Sequence, residues 1–287
     1  MIQTKIHRKY LFTPLRYPGG KTSLFEFFDQ VIKTNEWHDV RYVEPYAGGA
    51  GAALSLLLLE KVASIVINDF DPAIYAFWKS LLHETELFIE KIRITPTTVE
   101  EWEKQKIIYK NPGKYSQLEV GFATFFLNRT NRSGILNAGP VGGKAQAGKW
   151  KMDARYNKKN LIERIELIKL YKDRIIVTNK DGLSIIKKYS TDPHTFFYID
   201  PPYFVKGKAL YLNAFKLEDH KKLADTLNGL ATAKWLLSYD NVEEICDLYP
   251  ERRQKPFSLK YSAHHASIGS EVMIFSDCLK LPPGSSS

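Results

Sequence analysis

Apolar and polar positions along the chain follow two rhythms. Short runs rich in Val, Ile and aromatic residues read as buried strands: VRYVE at 40–44, SIVIN at 64–68, RIIVT at 174–178, TFFYID at 195–200 and WLLSY at 235–239. Longer stretches with helical spacing lie between them. Asp71-Pro72 ahead of AIYAFWKSLL offers an N-cap with proline in the first turn. NKKNLIERIELIKLY places Leu161, Ile165 and Ile168 on one stripe. This alternation predicts parallel βα units rather than a sandwich. Two late runs, FSLKYS and EVMIFS, predict a closing antiparallel hairpin. The second and third strands are separated by more than a hundred residues, whereas the other crossovers are short. A segment has therefore been inserted, roughly from Thr85 to Leu170, and TVEEWEKQKIIYK and SQLEVGFATFFLNR make it mainly helical. Residues 1–84 with 171–280 are expected to form one domain and 85–170 the insert, with 281–287 a disordered tail.

A chain of 287 residues that is 44% hydrophobic can bury a sizeable core. Its longest apolar run, AALSLLLL, is too short to span a bilayer. The N-terminal stretch has basic residues but no sustained apolar segment behind them, so a soluble, cytoplasmic protein with no membrane partner is expected. Cys246 and Cys278 stand alone, without Cys-x-x-Cys or a matching His spacing, and predict neither a disulfide framework nor a metal site. The net charge of +9 is localised: between Asn128 and Asn160 there are eight Lys/Arg against the single Asp153. Five glycines share that segment. A solvated basic loop is the plain reading, but such a loop also approaches a polyanion with both amides and side chains.

VEPYAGGAGAALSLLL sets a strand, a glycine-rich turn and a helix in succession, an arrangement that commonly holds nucleotide-like ligands. Eighteen residues after Gly51, at the end of the next strand, Asp69 can accept hydrogen bonds from ribose hydroxyls. For NAD, the usual Gly-x-Gly-x-x-Gly laid on Gly49 and Gly51 meets Leu54 at its third small position. For ATP, YPGGKTS would need glycine where Leu15 stands. S-adenosylmethionine has no pyrophosphate and needs no full phosphate cradle. Glu44 could receive its ammonium, and Lys21 or turn amides its carboxylate.

Four segments in this order, RYPGGK (16–21), EPYAGGAG (44–51), FFLNRTNRSGI (125–135) and DPPY (200–203), resemble the Dam-type, D12 class N6-adenine DNA methyltransferases. The resemblance runs from Arg16 to about Ser276. It implies an α/β, Rossmann-like methyltransferase fold with a mostly parallel seven-stranded sheet and an inserted, mainly helical target-recognition domain. It implies S-adenosylmethionine as cofactor, with Tyr17, Pro18, Gly19, Gly20 and Lys21 near its methionine end. Glu44, Pro45, Ala47, Gly48, Gly49 and Gly51 would line its central pocket, Asp69 would meet its ribose and Asp181 its adenine, with Asp200 also beside it. Asp181 is equally suited to cap a helix. The implied partners are double-stranded DNA and a cognate restriction endonuclease, with no metal.

The resemblance makes Asp200, Pro201, Pro202 and Tyr203 the catalytic set. An adenine amine is a poor nucleophile, because its lone pair is delocalised. The Asp200 carboxylate and the Pro201 carbonyl can accept its two N–H groups, and the prolines bring no competing donor. Tyr203 offers a face on which the base can stack. Arg129, Asn131, Arg132, Lys144, Lys149, Lys151 and Arg155 are candidate DNA contacts, to bases or to phosphates. The insert departs in detail from the GATC-reading pattern, so the target sequence stays open. Adenine in RNA, a glutamine amide in protein, and an inactive DNA-binding relative remain alternatives.

Overall fold

The computed structural model describes residues 12–16, 21–204, 215–258 and 270–283. Seven strands form one sheet in the order β3-β2-β1-β4-β5-β7-β6. Strands β1 (Arg41–Glu44), β2 (Ser64–Asn68), β3 (Ile175–Thr178), β4 (Thr195–Ile199) and β5 (Lys234–Asp240) are parallel, on the runs predicted for them. The closing hairpin also forms, β6 (Arg253–Ser258) pairing antiparallel with β7 (Ser270–Phe275). Its first strand begins at Arg253 rather than Phe257, and residues 259–262 of the expected run lie outside the described residues. Strand β7 also pairs antiparallel with β5, which sets Glu271 opposite Asp240.

Alternate residues of each strand point to opposite faces, and the sheet accordingly has two cores. Tyr42, Ile65, Phe196, Tyr198 and Leu236 face one, Val43, Val66, Phe197, Ile199 and Trp235 the other. Both faces are covered, so β4 is buried throughout and its sequence is continuously apolar. Helices α1 (Phe25–Thr34), α2 (Gly51–Leu58) and α3 (Pro72–His83) pack on the first face. Between β2 and β3 the chain adds α4 (Thr85–Ile94), α5 (Val99–Lys110), α6 (Gln117–Thr130) and α7 (Lys158–Lys169), whose apolar sides extend that same core. Helix α6 starts at a capping box made by Ser116 and Glu119 and lies closely on α3. A Cβ at Gly121 would stand 2.5 Å from the Ala76 carbonyl, and Phe125 stacks on Phe77 at 6.0 Å. The second face carries α8 (Gly182–Tyr189), α9 (Leu217–Asn228) and the short α10 (Glu243–Cys246).

Candidate active site

The strand order reverses between β1 and β4, and in open parallel sheets ligands bind outside the carboxyl ends of the strands at such a switch point. Glu44 ends β1, Asp69 follows β2 and Asp200 follows β4 at this rim.

The turn between β1 and α2 is bound on several sides. Gly48 and Ala50 both take left-handed conformations, at φ 48 and φ 47; for Ala50 this is a strained choice that the surroundings must hold. The Gly48 amide donates to Asp69 Oδ2 at 2.8 Å, the Ala47 amide to the Asn68 carbonyl at 2.8 Å, and Trp78 Nε1 to the Gly48 carbonyl at 2.9 Å. Buried Asn68 donates to the Pro45 and Lys180 carbonyls and accepts from Thr178 Oγ1, tying together three strand ends. A Cβ on Gly51 would run into Thr22 Oγ1, so only glycine lets α2 start this close to the segment after Lys21.

Two acids face this turn. Glu44 is buried, accepts from the Ala53 amide at 3.2 Å, and burial pushes its carboxyl up to about 8. Asp69 Oδ1 accepts from the Asp71 amide at 2.9 Å; burial pushes Asp69 up to about 7 although two amides hold it down. Asp181 caps α8, accepting from the Ser184 amide at 3.1 Å, and next to it Gly182 lies under the Tyr46 ring. Tyr17, Pro18, Gly19 and Gly20 lie outside the described residues.

Asp200 sits in a network that the sequence reading missed. Ser238 Oγ donates to its Oδ1 at 2.6 Å and is bonded in turn to the Tyr198 hydroxyl at 2.8 Å. Lys21 Nζ, buried, lies 3.2 Å from the same oxygen and 3.4 Å from Glu271 Oε2, and donates to the Tyr203 hydroxyl at 2.6 Å. Tyr203 donates to Glu271 Oε2 at 2.9 Å. Thus Lys21, expected at the cofactor's carboxylate, stands beside the Asp200 carboxylate. Glu271 is fully buried, and burial raises its pKa while Lys21 opposes the rise. It reaches the site because antiparallel β7 begins where β5 ends. Ser238 and Glu271 carried no local signal, since only strand pairing brings them here.

The basic segment divides. Asn131, a candidate base or phosphate contact, is buried: Trp102 Nε1 donates to its Oδ1 at 2.7 Å, and its Nδ2 donates to the Ile135 and Leu136 carbonyls. It shapes the loop and has no exposed polar group for DNA. Arg129, half-buried at the end of α6, donates to the Arg155 carbonyl, while Lys144 pairs with Glu103 at 2.8 Å. Arg132, Lys149, Lys151 and Arg155 are exposed. So is Trp150, 66% accessible, with the Lys149 ammonium 5.8 Å from its ring. Trp150, an aromatic residue flanked by Lys149 and Lys151 in the glycine loop, was not singled out from the sequence.

Residues 17–268 match the model of one family, the D12 class N6 adenine-specific DNA methyltransferases. The chain belongs to this family. As a D12 class methyltransferase it methylates adenine in DNA, which decides among the acceptors left open above. A curated relative, the Type II methyltransferase M.MjaIII of Methanocaldococcus jannaschii, is 23% identical over 202 residues, covering 66% of this chain and 68% of the relative. Among solved structures, the rRNA methyltransferase AviRa of Streptomyces viridochromogenes aligns over 91% of this chain and 86% of its own, at 14% identity and a TM-score of 0.37. That likeness is too low to bear on acceptor or mechanism. The switch-point crevice of this D12 class methyltransferase brings Glu44, Asp69 and Asp200 to one rim, and among the described residues no His/Cys/Asp/Glu cluster has the form of a metal site.

Proposed function

We propose that this D12 class enzyme transfers methyl from S-adenosylmethionine to N6 of an adenine turned out of duplex DNA, with Asp200 as the acceptor for the amine. The observation that carries this reading is the saturation of one Asp200 oxygen. Oδ1 is held by Ser238 and Lys21, so the carboxylate is oriented and, among the described residues, Oδ2 is left to accept an N–H. The Pro201 carbonyl suits the second N–H, and neither Pro201 nor Pro202 has an amide proton to compete. The Tyr203 ring is tethered through its hydroxyl to Lys21 and Glu271 and suits stacking of the base, worth about 1–3 kcal/mol.

The acids at the rim fit the cofactor's chemistry. Glu44, buried and raised to about 8, suits a ligand ammonium, and Asp69 keeps lone pairs for ribose hydroxyls after accepting two amides. When bound, the cofactor supplies a methyl group activated on a sulfonium; the chain's own residues bind, orient and take up charge. Turning the base out costs roughly a few kcal/mol. Backbone contacts from the 85–170 insert, through Arg132, Lys149 and Lys151 with Trp150, would offset it. The relative's Type II designation supports a restriction-modification setting with a cognate endonuclease.

Asp200→Ala is expected to lower single-turnover methyl transfer at least about a hundredfold, the size of losing one preorganised polar group at a reacting centre, while DNA binding stays close to wild type. Near wild-type transfer by that variant would refute the role given to Asp200.

A further inference from the structure

Four arginines converge where the insert meets the segment leading to Lys21. Arg16 precedes that segment, Arg129 ends α6, Arg155 closes the turn Met152–Arg155, and Arg164 lies on α7. The segments that carry them are tied together by side-chain bonds to the backbone. The buried Asn128 side chain accepts from the Arg16 amide at 2.7 Å and donates to the Arg16 carbonyl at 2.8 Å and the Gly134 carbonyl at 2.9 Å. Arg164 Nη1 donates to the Thr13 carbonyl at 2.9 Å, and Arg129 Nε to the Arg155 carbonyl at 2.7 Å.

Among the described residues none of the four forms an ion pair. The segments outside the described residues contain no Asp or Glu. The cations instead repel one another: burial, then Arg16, Arg164 and Arg155, push Arg129 down to about 9, and burial with Arg155 lowers Arg16. Arg16, Arg129 and Arg164 are partly buried and Arg155 is exposed beside them. Carbonyls accept from Arg129 and Arg164, but no carboxylate among the described residues neutralises the four charges, and partly buried guanidinium groups without an anion are costly. A base edge is neutral and would leave the repulsion in place. A phosphodiester carries the missing negative charge and oxygens that match guanidinium forks.

We propose that Arg16, Arg129, Arg155 and Arg164 form the seat for one backbone phosphate of the DNA near the target adenine. Arg16 and Lys21 are five Cα steps apart, at most about 18 Å of chain, and Lys21 lies 3.2 Å from an Asp200 oxygen. The seated phosphate therefore lies within about one helical turn of the base being methylated. Its arginines come from both sides of the junction, so one phosphate fastens the recognition loop to the segment beside the catalytic carboxylate. This inference rests on the reading that the adenine is presented at Asp200.

The test uses the full chain and a duplex bearing the site that methylation sequencing reports. Neither the Arg16 nor the Arg155 side chain makes a hydrogen bond among the described residues, so the double variant Arg16→Gln/Arg155→Gln retains the bonds described above. The slope of log Kd against log salt is expected to fall by about 0.9, the loss of one phosphate contact. An unchanged slope overturns the seat, and a fall of about twice that overturns the sharing of a single phosphate. Duplexes with one neutral methylphosphonate at each position give a second measurement that needs no variant. One position within a turn of the adenine should weaken wild-type binding and add nothing in the double variant. Indifference of the wild type at every such position, or equal sensitivity of both proteins, rejects the proposal. Methyl transfer by the wild type is read on the unmodified duplex, so a failure of the reading at Asp200 is seen separately from a failure of the seat.

Discussion

Glu271 receives two donors on Oε2, while its Oε1 has no hydrogen-bond partner among the described residues. Both donors, Lys21 and Tyr203, also belong to the setting of Asp200, so this carboxylate helps fix the geometry of the proposed amine acceptor without touching it. Removing its charge leaves Lys21 with Asp200 as its one carboxylate partner. Glu271→Gln is expected to slow single-turnover methyl transfer about 10- to 100-fold, since hydrogen bonds to charged groups contribute about 1.5–3 kcal/mol. Cofactor affinity, followed by calorimetry, should change little; equal losses in both would mark general damage instead of misplaced catalysis. Asp200 was legible in the sequence because a carboxylate at a strand end followed by two prolines is chemically odd. Glu271 was not, because an acid opening the run EVMIF means nothing until β7 is paired with β5. Asn131 misled for the opposite reason, as a polar residue among basic ones that the loop turns inward.

At the scale of elements, the inner strands could be read directly, since burial on both faces demands unbroken Val, Ile and aromatic runs. The start of β6 could not. It is an edge strand, and Arg253-Gln254-Lys255-Pro256 has the charged, proline-bearing composition that edges tolerate. Fastening the insert to the sheet depends on details equally invisible beforehand. Gly134 takes φ 77 with its Cα facing the Arg16 carbonyl, where no Cβ fits. Gly134→Ala meets backbone strain and a backbone clash together, and is expected to destabilise the fold by about 1–3 kcal/mol. Chemical denaturation should show a lower midpoint at unchanged slope.

Across the whole molecule, charge is divided between a basic insert, proposed to meet DNA, and an acidic rim at the sheet. Two of the rim acids make the protein pH-dependent in a defined direction. Glu44 and Asp69 keep their protons in the folded chain to about 8 and about 7, well above their ordinary values of 4.5 and 3.8. Each therefore contributes stability that is fully present below its ordinary value and lost as pH rises through its folded value. Without cofactor, the melting temperature is expected to fall between about pH 4 and pH 8, and Glu44→Gln should flatten the fall. A cationic ligand needs Glu44 ionised, so S-adenosylmethionine binding should release about one proton at pH 7 and tighten toward pH 8, as calorimetry in buffers of different ionisation heat would register. The contact of Lys21 with Glu271 spans 250 residues and joins the segment ahead of α1 to β7. During synthesis that strand emerges after every other part of the site. A chain halted before residue 271 has its cofactor turn and its recognition insert, but lacks the antiparallel strand and the carboxylate that hold Lys21 in register with Asp200. Lys21 and Asp200 can therefore be held in register only once β7 has been made and paired with β5.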